Sequence, residues 1–157
     1  MKNIIILFLI FSAVVFAKWE VGTSYTTDGD PLTTFTTYDL EGNYSSILIG
    51  VNVDSLGYSV VSIFNEDIEK KDDIVLIITD NEGNDLNCTF HSDDMRDYGI
   101  SVPSGRATVL TKMLYDGKSA KLMKNFKPIA TFDLKGIKQV MQKHVGKSYW
   151  YKYKLND

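Results

Sequence analysis

The chain has 157 residues, of which 44% are hydrophobic and 24% are charged, a composition typical of one globular domain with a core large enough to fold unaided. Its only cysteine, Cys88, excludes a disulfide within the chain. Its two histidines argue against a catalytic zinc or a histidine-dependent hydrolase, which ordinarily draw on more such residues.

The N-terminal segment has the pattern of an export signal. Lys2 precedes an apolar run over residues 4–16, and Ala17 supplies a small residue where a signal peptidase cleaves. This run covers about 20 Å as a helix, less than the roughly 30 Å core of a bilayer. We therefore expect a signal peptide over 1–17 and one β-rich domain over 18–157, periplasmic or secreted. No later apolar run is long enough to predict a transmembrane helix.

Side chains that alternate along the chain predict several strands in its middle. Two such runs flank a predicted turn over 54–57, and an apolar run over 74–78 is typical of a strand covered on both sides. The alternating residues are Ile47, Ile49, Val51 and Val53 in the first run, and Tyr58, Val60, Ser62 and Phe64 in the second. Residues 80–84 then predict a hairpin turn.

Three features in this part of the chain each have a structural and a functional interpretation. Alternation places Cys88 beside Leu86 and Phe90, which favours a buried, inert thiol over a reactive or dimer-forming one. His91 points the other way and, with Asp93 and Asp94, could hold a divalent metal. A metal role is nevertheless the less favoured interpretation, because the chain has only two histidines. Residues 80–85 resemble the start of a calcium loop but lack its later glycine and glutamate, so a hairpin is favoured.

The last third of the chain predicts a further hairpin and then a helix. Alternation over 107–115 leads into Asp116-Gly117, which is typical of a type I′ turn. Residues 118–124 would form the returning strand, and Pro128 marks a strand over 126–132 as an edge or bulged strand. Leu134, Ile137, Met141 and Val145 recur at helical spacing, with Asp133 as the predicted cap and Gly146 as the end.

These elements together predict an all-β fold. About eight strands would form an antiparallel β-sandwich or barrel, with one C-terminal α-helix. The sequence contains no recognisable catalytic constellation and no signal for a cofactor, so we expect a binding protein and not an enzyme.

Charge is divided unevenly along the chain. Residues 18–100 contain 17 acidic and 4 basic residues, whereas residues 101–157 contain 3 acidic and 12 basic residues. One interpretation is that the two halves pair within the fold, where each exposed pair contributes only about 0.2–1 kcal/mol. The other is a surface with an acidic and a basic side.

The second interpretation predicts a set of partner-binding residues. The basic set would meet an anionic envelope component, and the acidic set, within residues 54–97, a basic protein. These residues are Lys135, Lys138, Lys143, Lys147, Trp150, Lys152 and Lys154 on the basic side, and Asp72, Asp73, Asp93 and Asp94 on the acidic side.

The C-terminal segment over 148–154 interleaves aromatic and basic residues. Such a mixture can stack on sugars or bases, but its high β-propensity favours a closing strand. Export argues against nucleic acid as the natural partner.

Parts of the chain resemble the bacterial invasion-associated locus B family. The resemblance covers the predicted mature start over 18–21 and the stretch over 116–137, in which an aromatic-x-leucine-x-glycine segment leads into a final helix. The matching residues are Phe132, Leu134 and Gly136. This chain has Cys88 alone where the family carries paired cysteines. The resemblance implies a periplasmic or surface β-sandwich that is not an enzyme.

Two kinds of function are consistent with these features. The first is an exported envelope protein that recognises a protein or an anionic envelope component through charged surfaces. The second is a periplasmic inhibitor or exclusion factor, bacterial or phage-encoded, that acts on a cell-wall enzyme such as lysozyme. An inhibitor would need a protruding loop, for which residues 65–73 and 92–97 are the candidates.

Overall fold

The computed structural model describes residues 19–52 and 58–146. These ranges contain ten strands and two helices. The strands are β1 (Glu20–Tyr25), β2 (Pro31–Tyr38), β3 (Ser46–Asn52), β4 (Tyr58–Phe64), β5 (Ile74–Asp80), β6 (Asp85–Thr89), β7 (Met95–Arg96), β8 (Gly99–Pro103), β9 (Gly117–Lys124) and β10 (Lys127–Asp133). The helices are α1 (Ser104–Asp116) and α2 (Ile137–Val145).

The strands form two antiparallel sheets. The larger sheet has the order β1-β2-β3-β4-β8-β7, and the smaller has the order β10-β9-β5-β6. Both sheets are open, with end strands, so the described part of the chain is a sandwich and not a closed barrel. The predicted all-β antiparallel fold with a C-terminal helix is therefore confirmed.

Alternation along the strands produces the core between the sheets. Ile47, Ile49 and Val51 of β3 are fully buried, and so are Ile74, Leu76 and Ile78 of β5. On β4, Val61 and Ile63 face the core. The predicted alternating run that ends at Phe64 therefore lies on the opposite, outer face of this strand. The prediction that β5 is covered on both sides is wrong, because Val75 and Ile77 are only half-buried.

The hairpin between β5 and β6 is confirmed. The backbone N–H of Asp80 donates to the carbonyl oxygen of Asn84 at 2.9 Å. Cys88 of β6 packs against the core but is half-buried. Burial raises the pKa of its thiol, with Arg106 opposing that shift and Asp94 adding to it.

The predicted strand over 107–115 is wrong, because these residues form α1. Ala107, Leu110, Thr111 and Leu114 recur at helical spacing and are buried by 99% or more. The hydroxyl of Ser59 on β4 lies 3.4 Å from the hydroxyls of both Thr108 and Thr111, which seats the helix on the larger sheet.

The predicted hairpin at Asp116-Gly117 is absent for the same reason: α1 ends at Asp116 and β9 begins at Gly117. A Cβ atom on Gly117 would lie 2.7 Å from Leu134 Cδ1 and 2.8 Å from Ile78 Cγ2. Glycine is required here by close packing and not by a type I′ turn. The strand predicted over 118–124 is confirmed as β9, although it is not the second strand of a hairpin.

The start of the C-terminal helix was predicted incorrectly. Gly136, with φ of 87°, occupies the N-cap position of α2, whereas Asp133 accepts a hydrogen bond from the Lys135 backbone at 3.0 Å. The end at Gly146 is confirmed. Pro128 lies on the edge strand β10, where the pairing with β9 shifts register between Pro128 and Ala130, as predicted.

The predicted signal peptide over 1–17, the turn over 54–57 and the segment over 147–157 lie outside the described residues. None of the helices in the described ranges has the length and apolar character needed to cross a membrane.

Candidate functional site

One end of the sandwich collects four connections and is called the loop end. It comprises the segment over 39–45 between β2 and β3, the segment over 65–73 between β4 and β5, the turn over 97–98 between β7 and β8, and the turn over 125–126 between β9 and β10. The candidate inhibitor segments over 65–73 and 92–97 therefore meet at this end. The second of them is a short 3-10 turn over 92–94 followed by β7.

Buried Asn65 joins three of these connections. Its side-chain amide donates to Ser45 Oγ at 2.7 Å, and its backbone N–H donates to the carbonyl oxygen of Tyr98 at 3.0 Å. Its side-chain oxygen accepts from the Asp67 backbone at 2.9 Å. Because Asn65 is only 2% exposed, these bonds are shielded from water and hold the connections in one arrangement.

Asp72 attaches the fourth connection, the turn over 125–126, to the segment over 65–73. Its side chain, only 3% exposed, lies 3.1 Å from Lys124 Nζ and accepts from Asn125 Nδ2 at 2.9 Å. A hydrogen bond from the Glu69 backbone, together with those from Asn125 and Lys124, lowers the pKa of Asp72 below its ordinary value. This predicted partner-binding carboxylate is thus engaged inside the fold, whereas neighbouring Asp73 is exposed.

Four large aromatic side chains of the described ranges project from the loop end. Their exposed fractions are 81% for Tyr44, 46% for Phe64, 59% for Tyr98 and 91% for Phe126. Tyr44, Tyr98 and Phe126 also have φ of 45°, 66° and 66°. Bulky residues rarely adopt a positive φ, and the surrounding structure must impose it. The loop end therefore presents its aromatic rings from a defined backbone.

The charges around these rings are mainly acidic. Several are already paired, since Lys70 lies 3.8 Å from Asp97 and Lys71 lies 2.7 Å from Glu69. Beyond the ion pairs formed by the described residues, four exposed carboxylates remain against two basic side chains. The carboxylates are Glu41, Glu66, Asp67 and Asp73, and the basic residues are Arg96 and Lys127.

Glu66 has a central position among these groups. It lines a shallow cleft of about 380 Å³ beside Tyr44 and another of about 400 Å³ beside Tyr98. A basic side chain that enters either cleft would meet one carboxylate and one ring, a combination that suits a lysine or an arginine.

The predicted pair Asp93 and Asp94 is divided by the fold. Asp94 is 3% exposed, accepts two hydrogen bonds from Arg106 Nη1 at 2.7 and 2.8 Å, and accepts one from the His91 backbone at 3.1 Å. Burial works to raise the pKa of Asp94, but the bonds from Arg106 and His91 outweigh it and hold the pKa below its ordinary value. Asp93 is exposed.

Among the residues that the structure describes, two ion pairs join the acidic half of the sequence to the basic half. They are Asp94 with Arg106 and Asp72 with Lys124. Part of the charge asymmetry along the chain is therefore neutralised by pairing within the fold. Such pairing is one of the two interpretations of the asymmetry that the sequence allowed.

Two of the basic candidates, Lys135 and Lys138, lie toward the opposite end. Lys135 and Lys138 line an open groove of about 690 Å³ between the end of α1 and the start of α2. Lys138 Nζ lies 2.9 Å from Asp116 and 5.3 Å from the centre of the Tyr115 ring, and Asp116 also pairs with Lys112. Lys138 is thus largely committed to joining the two helices.

The remaining basic candidates divide into two groups. Lys143 is exposed in the last turn of α2. Lys147, Trp150, Lys152 and Lys154 lie outside the described residues. The structure thus gathers acidic and aromatic groups at the loop end more clearly than it gathers basic groups elsewhere.

Metal-binding clusters are absent from the described part of the chain, where no three His, Cys, Asp or Glu side chains come together in a suitable arrangement. The carboxylate of Asp80 accepts hydrogen bonds from the Glu82 and Asn84 backbones, both at 2.8 Å. These bonds shape a hairpin turn, in agreement with the favoured interpretation of residues 80–85.

Comparisons of the chain with protein-family models, with curated proteins and with solved structures gave no match. The resemblance to the invasion-associated locus B family therefore stays a prediction.

Proposed function

We propose that this chain is an exported, non-enzymatic binding protein of the bacterial envelope that recognises a basic protein through the loop end. The observation that carries the proposal is the convergence of four connections on one surface, where exposed rings stand among unpaired carboxylates. Aromatic side chains supply most of the energy of many protein interfaces, while opposite charges guide the partner into register.

Prior organisation of the surface supports this function. Buried Asn65 and half-buried Asp72 tie the connections together, so little conformational entropy has to be lost on binding. A protein partner is favoured over an anionic envelope component because the basic candidate Lys138 is already paired with Asp116.

A cell-wall enzyme such as lysozyme is the second candidate partner within this proposal. Lysozymes are commonly basic, and an inhibitor must present a protruding, acidic surface to a concave site. Two contacts of the segment over 65–73 favour this form of the proposal. Glu66 lines one cleft with the segment over 39–45 and another with the turn over 97–98, so it lies between Tyr44 and Tyr98.

The proposal is tested by capture from a periplasmic extract at low and high salt, with the purified protein as bait. The test variant carries Glu66→Lys and Asp67→Lys. The matched control carries Asp28→Lys and Glu82→Lys, two exposed acidic positions on turns at the opposite end of the sheets. Both variants have the same net charge, so a non-specific effect of charge would appear equally in each.

We expect a partner that is retained at low salt, lost at high salt and bound about tenfold or more weakly by the test variant. The control should bind as the wild type does. Equal binding by the two variants would exclude the loop end as the recognition surface. Purified lysozyme is the second probe: inhibition of its cell-wall hydrolysis by the wild type and the control, but not by the test variant, would identify the enzyme class.

A further inference from the structure

β1 is an edge strand with unusually little protection. All six of its residues are exposed, including Val21 at 39% and Tyr25 at 67%. Its pairing with β2 is nevertheless regular over the full length, from Glu20 opposite Thr36 to Tyr25 opposite Pro31. Trp19, which directly precedes β1, is 8% exposed and packs in the core, which anchors the start of the strand.

The other three edges of the described sheets carry features that discourage pairing with another strand. β7 has two residues, and β10 carries Pro128 at a shift in register. β6 has five residues and includes Asp85 and Asn87, which are poorly suited to strands. β1 has neither lysine, proline nor a bulge, which are the usual protections of an edge strand.

β1 also extends beyond the second layer of the sandwich. The edge strand of the smaller sheet, β10, meets the end of β2: the Leu40 backbone donates to the carbonyl oxygen of Thr131 at 2.9 Å, and Thr131 donates to Asp39 at 2.7 Å. β1 lies one strand farther out. Val21, Thr23 and Tyr25 lie on one face of β1, and all three are exposed.

We propose that β1 pairs with β1 of a second copy of this chain, antiparallel and about a two-fold axis. Residues directly opposite each other point to the same face of a sheet. With Thr23 on the axis, Val21 stands opposite Tyr25 of the second copy, and Tyr25 stands opposite its Val21. In this register the two exposed apolar residues of each β1 strand contact those of the other copy, in two symmetric pairs. The two six-stranded sheets thereby join into one.

Several features favour a second copy as the occupant. Pairs between aromatic and β-branched residues and pairs between threonines are among the stabilising cross-strand pairs. The only charge on β1, Glu20, falls opposite Thr26 of the second copy, so the two carboxylates do not face each other. A contact along one short strand is small for a protein interface. The dimer is therefore weak and appears at high concentration.

Sedimentation velocity of the purified protein, at concentrations up to about 1 mM, tests this dimer. Thr23→Lys would place two lysines directly opposite each other and should weaken association about tenfold or more. Thr89→Lys is the matched control, because it introduces the same exposed lysine on the edge strand β6. A mixture of Thr23→Lys with Thr23→Glu should restore association as a heterodimer.

Three results would overturn the proposal: a wild type that remains monomeric up to that concentration, equal weakening by both lysine variants, or a failure of the charge-swapped mixture to associate. The inference does not depend on the loop end, because β1 and the loop-end variants involve different residues. Loss of partner capture with an intact dimer, or the reverse, therefore distinguishes failure of one proposal from failure of the other.

Discussion

The ion pair between Asp94 and Arg106 should make a measurable contribution to stability. We expect Arg106→Gln to lower the free energy of unfolding because it leaves a carboxylate, in a side chain only 5% exposed, with a single backbone partner. Loss of one partner of a fully buried pair costs about 3–5 kcal/mol. The Arg106 side chain is 50% exposed, so solvent screening reduces the expected loss to about 1–2 kcal/mol.

The measurement is a double-mutant cycle by urea denaturation. Asp94→Asn and the double variant complete the cycle with Arg106→Gln, and the coupling energy between the two positions should be about 1 kcal/mol or more. A coupling energy near zero would refute the reasoning, since it would mean that the two side chains contribute independently of each other.

The pH dependence of this coupling provides a second check. The pKa of Asp94 in the folded protein is lower than its ordinary value of 3.8, so the unfolded chain binds a proton at higher pH than the folded one. The contribution is therefore complete above about pH 5 and is lost as the pH falls through the lower, folded pKa. Coupling that is unchanged by acid would contradict this assignment.

Two further predictions concern positions with defined surroundings. Gly99→Ala should destabilise the protein by about 1–3 kcal/mol, because its Cβ atom would lie 2.3 Å from the carbonyl oxygen of Ile63. Gly105→Ala is the control, because no atom lies within 4 Å of its new Cβ. Thermal denaturation should show a loss of stability for the first variant and none for the second. Cys88 should react with iodoacetamide more slowly in the folded protein than in urea at neutral pH, because burial raises the pKa of its thiol; equal rates would show that the thiol is not shielded.

Much of the fold could be predicted because strands repeat every two residues. That period places Ile47, Ile49 and Val51 on one face wherever the strand lies, and the sandwich follows once several such faces must be buried together. Turn chemistry was equally local for residues 80–84, where the Asp80 side chain binds the backbone of its own turn.

The prediction of a strand over 107–115 was wrong because this sequence fits both the two-residue period of a strand and the 3.6-residue period of a helix. Alternate residues read as a strand, while Ala107, Leu110, Thr111 and Leu114 read as a helix. β4 and its neighbours bury the second set, so tertiary packing selects the helix. Gly117 packs closely against Leu134 and Ile78 and is not part of a hairpin turn. These neighbours are distant in sequence, so the sequence alone could not show this role.

The candidate site also has some features that could be predicted from the sequence and others that depend on the tertiary structure. The residues themselves revealed the acidic character of 54–97 and the two candidate segments, because charge and polarity are local properties. Their convergence at the loop end depends on Asn65, whose partners, Ser45 and Tyr98, are distant in sequence. Which carboxylates remain available was likewise determined only in the folded protein, because Asp72 and Asp94 meet cations from the other half of the chain.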